Sequence, residues 1–389
     1  MKTSQTAYEL MRELRQSADD IDAEAALALV TAEIEDGLAR RGGLPMTPSL
    51  RWPGGSLIPR GECLCIDLGG TALKSARVRA DGAGTLRLSD MRESRVPGLD
   101  RALGEEEFFD AVARAAGIGP DTETVCVSFS YYMEPLPGAD ARILAWSKEL
   151  KLPPPSGMTV AEHVRRAAGN PALRVLVAND SVAATLGCLG GGADGCALLG
   201  LIVGTGFNIC WRDDGGMLYN TEAGDSRAFR PGLIDERIDR ASACPGAAPA
   251  EKLCSGVYLE QIVRGCVAEA MRRGLIPYDE GLLRLSLAEY GALLSAGDAE
   301  SELVAGIVRE AERRSAKIAA VCAAALLRRN RCGSGRVLIA AEGSVVNRMD
   351  GYKALFLAEL GAIPGGGLET RLVSAEQAGL RGAARLTAL

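Results

Sequence analysis

Strand-like and helix-like segments alternate along the whole chain, and that alternation predicts an α/β fold. Three observations carry the prediction. Short apolar, β-prone runs recur at Cys63–Ile66, Leu73–Val78, Thr124–Phe129, Val175–Ala178, Ala197–Val203 and Val337–Ala341, most of them ended by turn residues. Between them lie segments of helical period, clearest in Ser255–Arg272, where Val257, Leu259, Ile262, Val263, Cys266, Val267, Ala270 and Met271 form one stripe. At 389 residues the chain is too long for one ordinary core, so two domains are expected.

Taken in order, residues 5–41 read as helix, with Tyr8, Met11 and Leu14, then Val30, Ile34 and Leu38, at helical spacing. Gly42–Arg60 is rich in Gly and Pro and reads as loop. Short strands and Gly turns follow from Gly61 to about Arg95, and Phe108–Ala115 reads as helix. A helix is expected over Asp180–Leu189, capped by Asp180 or Ser181. The polar-free run Ala197–Val203 suits a buried strand. A long Ala-rich helix is expected over about Glu302–Arg328 and a last helix over Ala375–Leu386. No internal repeat stands out.

Composition excludes several functions. Hydrophobic content of 47% with 24% charged residues is that of a globular protein. A net charge of −6 without a basic stripe argues against nucleic acid as partner. No apolar run approaches the ~20 residues that span a bilayer, and the N-terminus lacks a signal-peptide core. Eleven cysteines, several inside apolar runs (Cys65, Cys126, Cys210, Cys322), read as small hydrophobes in a reducing cytosol. Cys63-Leu-Cys65 without a second pair is a poor zinc site. The single histidine, His163, lies in a polar stretch and reads as a surface helix residue. One histidine leaves no Ser-His-Asp triad and no multi-histidine metal site. Proton transfer near pH 7 then falls to a carboxylate, Lys, Tyr or Cys.

The most informative stretch is Asp67-Leu68-Gly69-Gly70-Thr71, between two β-prone runs. Its glycines allow a sharp turn and close approach to a ligand. Its amides and the Thr71 hydroxyl suit phosphate oxygens, and Asp67 can hold hydrated Mg²⁺. A second strand and glycine turn, Leu201–Asn208 with Gly204-Thr205-Gly206, suits a second phosphate contact on one nucleotide. Val177-Ala-Asn179-Asp180-Ser181 places an Asn-Asp pair at a strand end, and Glu342-Gly343-Ser344 ends a third strand. The chain has no Gly-x-x-x-x-Gly-Lys-[Ser/Thr] and no Gly-x-Gly-x-x-Gly after a first strand, so neither a P-loop nor a Rossmann site is expected.

These segments together resemble the hexokinase family. Its first phosphate motif is matched by Ile66–Lys74 and its sugar motif by Phe129-Ser130-Tyr131-Tyr132 with Trp146-Ser147-Lys148. Its Asn-Asp-Thr-Val is matched by Asn179–Val182, and its Gly-Leu-Ile-Val-Gly-Thr-Gly-x-Asn by Gly200–Asn208. Asn220-Thr-Glu222-Ala-Gly224, the helix within Glu251–Arg264, the turn Glu342–Ser344 and the early Leu-Pro-Met-Thr-Pro follow in the family's order. The resemblance covers nearly the whole chain and is similar to the eukaryotic-type line in a shorter form.

The resemblance implies a two-lobed actin-like ATPase (ribonuclease H-like) fold with an interlobe cleft. Residues 61–185 would form the small lobe, with a C-terminal helix over 374–389 packed on it. Residues 1–60 and 186–373 would form the large lobe. Implied is phosphoryl transfer from MgATP to the 6-hydroxyl of glucose or a related hexose, in a cytoplasmic monomer or homodimer. Asp180 would be the general base, assisted by Lys148. Ser130, Ser147, Lys148, Asn179, Asp180, Asn208, Glu222 and Glu251 would bind the sugar, whose hydroxyls both donate and accept. Asp67, Gly69, Gly70, Thr71, Lys74, Gly204, Thr205, Gly206, Glu342, Gly343 and Ser344 would hold the nucleotide. Asp67 would hold Mg²⁺ through water.

The chain departs from the family at several points. Ala72 replaces Asn, Lys74 replaces Arg and loses its bidentate fork, Tyr132 replaces Pro, and Ser147 replaces Thr. Ala248 stands where a Gln is expected, the loop after Glu222 diverges, and the last glycine motif is blurred to Ala378–Ala384. A catalytically weak sugar-binding regulator of the same fold, or a kinase for another small polyol, are the alternatives.

Overall fold

A strand of consecutive apolar residues is stable only if something covers both of its faces. The computed structural model describes residues 2–146, 150–190, 196–293, 299–330, 335–363 and 368–389. Its strands are β1 (Thr47–Arg51), β2 (Glu62–Leu68), β3 (Ala72–Ala80), β4 (Leu86–Arg95), β5 (Thr124–Phe129), β6 (Tyr132–Leu136), β7 (Asp140–Ala145), β8 (Arg174–Asn179), β9 (Ala197–Val203), β10 (Phe207–Arg212), β11 (Met217–Asn220), β12 (Arg336–Glu342) and β13 (Glu369–Val373).

A five-stranded sheet has the order β4-β3-β2-β5-β8, and a six-stranded sheet the order β1-β11-β10-β9-β12-β13. Without β1 the two share one plan. The central strand, β2 or β9, continues antiparallel through the next two strands on one side. On its other side lie two later strands, both parallel. The chain thus repeats a topology that its residues do not repeat, because strand pairing follows apolar alternation and connection length rather than identity.

Each sheet presents opposite faces to two apolar layers. On β2, Leu64, Ile66 and Leu68 join Phe108, Phe109 and Val164 of helices Glu105–Ala116 and Val160–Ala167. On β9, Leu199, Leu201 and Val203 join the helices Lys2–Glu13, Ala23–Leu38, Gly256–Arg272 and Ala299–Leu327. The reverse faces, with Cys63, Cys65, Cys126, Leu198 and Cys210, meet a shared layer containing Val182, Leu186, Leu380 and Ala383. The buried thiols are therefore small hydrophobes on the inner faces.

That shared layer is a pair of helices, Asp180–Cys188 after β8 and Ala378–Arg385 after β13. Each leaves its own sheet and packs on the other: the first against β9, β10 and β12, the second against β2, β3 and β5. They cross with backbones touching. A Cβ on Gly187 would lie 1.9 Å from the Ala378 carbonyl oxygen, and one on Gly382 would lie 1.6 Å from that of Ala183. A Cβ on Gly200 of β9 would meet Thr185 Oγ1 at 1.7 Å.

Several expectations are corrected. Residues 5–41 are two helices, because Ser17 closes a capping box on the turn Ala18–Asp20 and Asp22 accepts the Glu24 and Ala25 amides to start the second. Gly42–Arg60 contains β1, an edge strand beside β11 in which Pro48 is tolerated. Between Ser130 and Trp146, a segment with no element expected, lies the β6–β7 hairpin. His163 is on a helix but only 1% exposed, since it shares the buried face of Val160 and Val164. Its ring stacks on Phe109 at 4.3 Å, with Nε2 3.3 Å from the Glu105 carboxylate. Burial lowers its pKa against the pull of Glu105, so the imidazole is neutral near pH 7.

Gly382→Ala is expected to cost at least ~3 kcal/mol of stability, because the obstacle is backbone that cannot rotate away. Gly361→Ala, in a helix with open space at its Cβ position, should be neutral or gain up to ~1 kcal/mol. Denaturant unfolding of both variants checks the contrast.

Candidate active site

The proposed residues gather at the carboxyl ends of the parallel strands, where connections leave the sheets. Asp67 closes β2 next to Leu68 and pairs in register with Lys74 on β3 and Ser128 on β5. The Ser128 hydroxyl donates to Asp67 Oδ1 at 2.7 Å. Burial raises the Asp67 pKa, opposed by Ser128 and Lys74. The following turn is tied by the Gly69 amide donating to Ala72 O, and the buried Tyr131 hydroxyl donates to Gly69 O at 3.0 Å. Neither Gly69 nor Gly70 has positive φ. Gly70 instead leaves open space at its Cβ position. Thr71 is exposed beside it.

On the six-stranded sheet, the Gly204 amide donates to Gly206 O, and Thr205 is exposed at that turn. Gly343 has φ +113, and its Cβ would lie 2.3 Å from Val203 O. The turn after β9 and the end of β12 are therefore in backbone contact. Asp67, Lys74, Glu342, Gly343, Ser344 and Arg348 line a polar cavity of about 690 Å³ together with the segment 374–379. A Cβ on Gly379 would approach the Asp67 carboxyl to 2.6 Å. The turns 69–71 and 204–206 are not part of this cavity's wall.

Asp180 is the first residue of its helix, and the cap is Asn179, correcting the expected cap at Asp180 or Ser181. Asn179 Oδ1 accepts the Ser181 amide at 2.9 Å, and that amide also reaches Asp180 Oδ1 at 2.8 Å. Burial raises the Asp180 pKa; hydrogen bonds from Ser130 and Asn179 oppose it, while the Asp67 charge adds to it. Ser130 in turn donates its amide to Leu68 O.

Beyond Asp180 stands a polar network. Asn208 Nδ2 donates to Asn220 Oδ1, and Asn220 Nδ2 to Glu222 Oε1, both at 2.7 Å. Asn208 Oδ1 accepts the Ile209 and Ala223 amides, which leaves one N–H of that side chain for a ligand. Glu222 holds a left-handed backbone, φ 53. Its pKa is pushed up to about 7 by burial first, then by the Asp180, Asp225 and Glu251 charges. Glu251 is not on the long amphipathic helix; it sits in its own short helix, Pro249–Cys254, because Ser255 interrupts the two. Its Oε2 accepts the Phe207 amide at 3.0 Å, and a Cβ on Gly206 would meet that oxygen at 2.7 Å.

Ser147 and Lys148 lie outside the described residues. Three residues were missed by the sequence reading. Asn220 is the buried hub between Asn208, Ser181 and Glu222, and its signal was its place two residues before Glu222. Asp225 accepts the Ala248 amide, and Tyr131 anchors the first turn; neither has a signal in residue type alone.

Sheets of this plan, joined by two crossing helices around a cleft, form a two-lobed actin-like ATPase-type fold. A solved hexokinase superposes with TM-score 0.80 at 21% identity, covering 99% of both chains. The hexokinase of Schistosoma mansoni, solved in complex with glucose, gives 0.79 at 20%, again over 99% of both. Hexokinase family models match residues 7–189 and, in two overlapping stretches, 198–295 and 283–389. The chain belongs to the hexokinase family. Human Hexokinase-3 is 28% identical over 72% of this chain, and rice Hexokinase-2 is 28% identical over 64%. The chain spans 33% of the human protein's length, 56% of the rice protein's and 26% of rat Hexokinase-3.

Between pH 4.5 and 7 the folded protein keeps a proton on Glu222 that the unfolded chain has released, so stability falls as pH rises through this window. Glu222→Gln lacks this loss. The stability of the variant minus that of the parent should grow from pH 5 to 7 and level off above. A difference independent of pH in thermal melts of the unliganded proteins would refute the assignment.

Proposed function

We propose that this chain is an ATP-dependent hexokinase that transfers the γ-phosphoryl group to the 6-hydroxyl of glucose or a related hexose. The observation that carries the reading is the position of Asp180. Its carboxyl is buried, the Asp67 charge at the cavity end raises its pKa, and its own charge in turn raises that of Glu222 in the Asn208-Asn220-Glu222 network, so it is in electrostatic reach of both ends. A base that meets a hydroxyl on one side and a phosphoryl donor on the other needs this intermediate place.

In this reading Asn179, Ser130, Asn208, Glu222 and Glu251 bind sugar hydroxyls, with Ser147 and Lys148 completing the set. Asp180 orients the 6-hydroxyl and takes its proton as that oxygen bonds to phosphorus; the leaving nucleotide carries away the electron pair. Burial that raises the Asp180 proton affinity favours the transfer. Glu222, near its midpoint at pH 7, can donate as well as accept. Gly69, Gly70, Thr71, Gly204, Thr205 and Gly206 approach the phosphates by backbone and hydroxyl, and Lys74 supplies positive charge. Glu342, Gly343 and Ser344 take the nucleoside side of the cavity.

The donor set also fits the metal that such transfer uses. Asp67 is an oxygen ligand in a polar cavity, as a hydrated Mg²⁺ requires. That ion would neutralise charge on the transferring phosphates. The proposed lobes are 61–185 with the C-terminal helix, and 1–60 with 186–373.

ADP release from MgATP with a panel of hexoses tests the reading. Release should depend on sugar, and Asp180→Ala should lower turnover by ~10²–10⁴ with sugar binding less affected. Near-normal turnover in that variant removes Asp180 as base. Thermal shifts on sugar addition without release from the parent protein would instead support a sugar-binding regulator.

A further inference from the structure

Lys252 is an unusual lysine: it is 5% exposed, one residue after Glu251. Its ammonium has three N–H donors and meets three acceptors, the Asp239 carboxylate, Ser242 Oγ at 3.0 Å and Cys244 O at 2.7 Å. Asp239 comes from another helix, Leu233–Ala241, and also accepts the Gly246 amide at 3.0 and 3.1 Å. One ion pair therefore gathers Ser242, Cys244 and Gly246, the whole loop between two helices. That loop leads directly to Ala248, which holds φ 46 and donates its amide to Asp225, and then to the helix of Glu251. A non-glycine residue keeps such a backbone only where its surroundings over-determine it.

We propose that Lys252 and Asp239 are positioning residues: they clamp the 242–248 loop so that Ala248 and Glu251 form the sugar-side wall of the cleft. The inference rests on the reading of Glu251 as a sugar contact. The clamp acts on a different segment from Asp180, which follows β8, and from the cavity at β12. Loosening it weakens the hold on the sugar equally in the ground and transition states. It therefore raises KM for the sugar with little change in kcat or in KM for the nucleotide.

The test is steady-state kinetics of the full chain with glucose and MgATP. Lys252→Met and the milder Asp239→Asn should each raise glucose KM by about tenfold or more, with kcat and MgATP KM within ~3-fold of the parent. The double variant should be no worse than the worse single one, because both remove one interaction. A merely structural pair would instead lower kcat through loss of folded protein and leave glucose KM alone. Glu251→Gln separates the two layers of argument. If it raises glucose KM while Asp239→Asn does not, the clamp is overturned and the sugar-contact reading stands. If Glu251→Gln leaves glucose KM unchanged, the sugar-contact reading fails and the clamp's role fails with it. Should Lys252→Met not fold, the Asp239→Asn constants decide alone.

Discussion

Gly187 and Gly382 allow helices Asp180–Cys188 and Ala378–Arg385 to cross with no side chain between their backbones. Each helix grows from one sheet and packs on the other, so the crossing exchanges chain between two otherwise similar halves. The first residue of one helix is Asp180, and the second residue of the other, Gly379, lies against Asp67. Asp180 and Asp67 sit at the ends of β8 and β2 in one sheet, with β5 between them, and the crossing brings the second helix over that edge. The same pair supplies the inner apolar layer for both sheets, so packing of the core and geometry of the cleft depend on one contact.

Carboxyl groups run through the cleft in series. Asp67 raises the pKa of both Glu342 and Asp180, and Asp180, Asp225 and Glu251 raise that of Glu222. In each of these three the larger cause is burial, and the neighbouring charge adds to it. Such an arrangement is unfavourable for an empty protein and is repaid where ligands supply donors, cations or both. Lys74 eases Asp67 and Glu342 at the cavity end. The other end is eased by amide groups: Asn220 for Glu222 and the Ala248 N–H for Asp225. Charge from Lys74 thus eases one end and hydrogen bonding the other.

Backbone proximity recurs at every junction of the site. Gly206 makes room for Glu251, Gly343 for Val203 and Gly379 for Asp67. These glycines serve close approach, and only Gly343 among them also needs its φ. Glu222 and Ala248 carry left-handed backbone without glycine's freedom, and both are held by hydrogen bonds to neighbours.

The sequence by itself determined the α/β class, about half of the strand positions and the order of the site motifs. Those depend on local alternation, glycine turns and residue chemistry, all of which are written in consecutive residues. Thr124–Phe129 and Ala197–Val203 were legible to the residue because both are interior strands buried on both faces. β1, β6 and β7 were not, because edge strands and hairpins are half exposed and carry Pro, Gly and charge. His163 looked like a surface residue in a polar stretch, yet the helix turns it inward onto Phe109. Asn220 and Lys252 gained their meaning only from partners distant in sequence, such as Ser181 and Asp239. Tertiary structure alone decided the helix crossing, the repeated sheet plan and the series of coupled carboxyls. Each is a relation between segments far apart in the chain, and no local pattern encodes a distance between them.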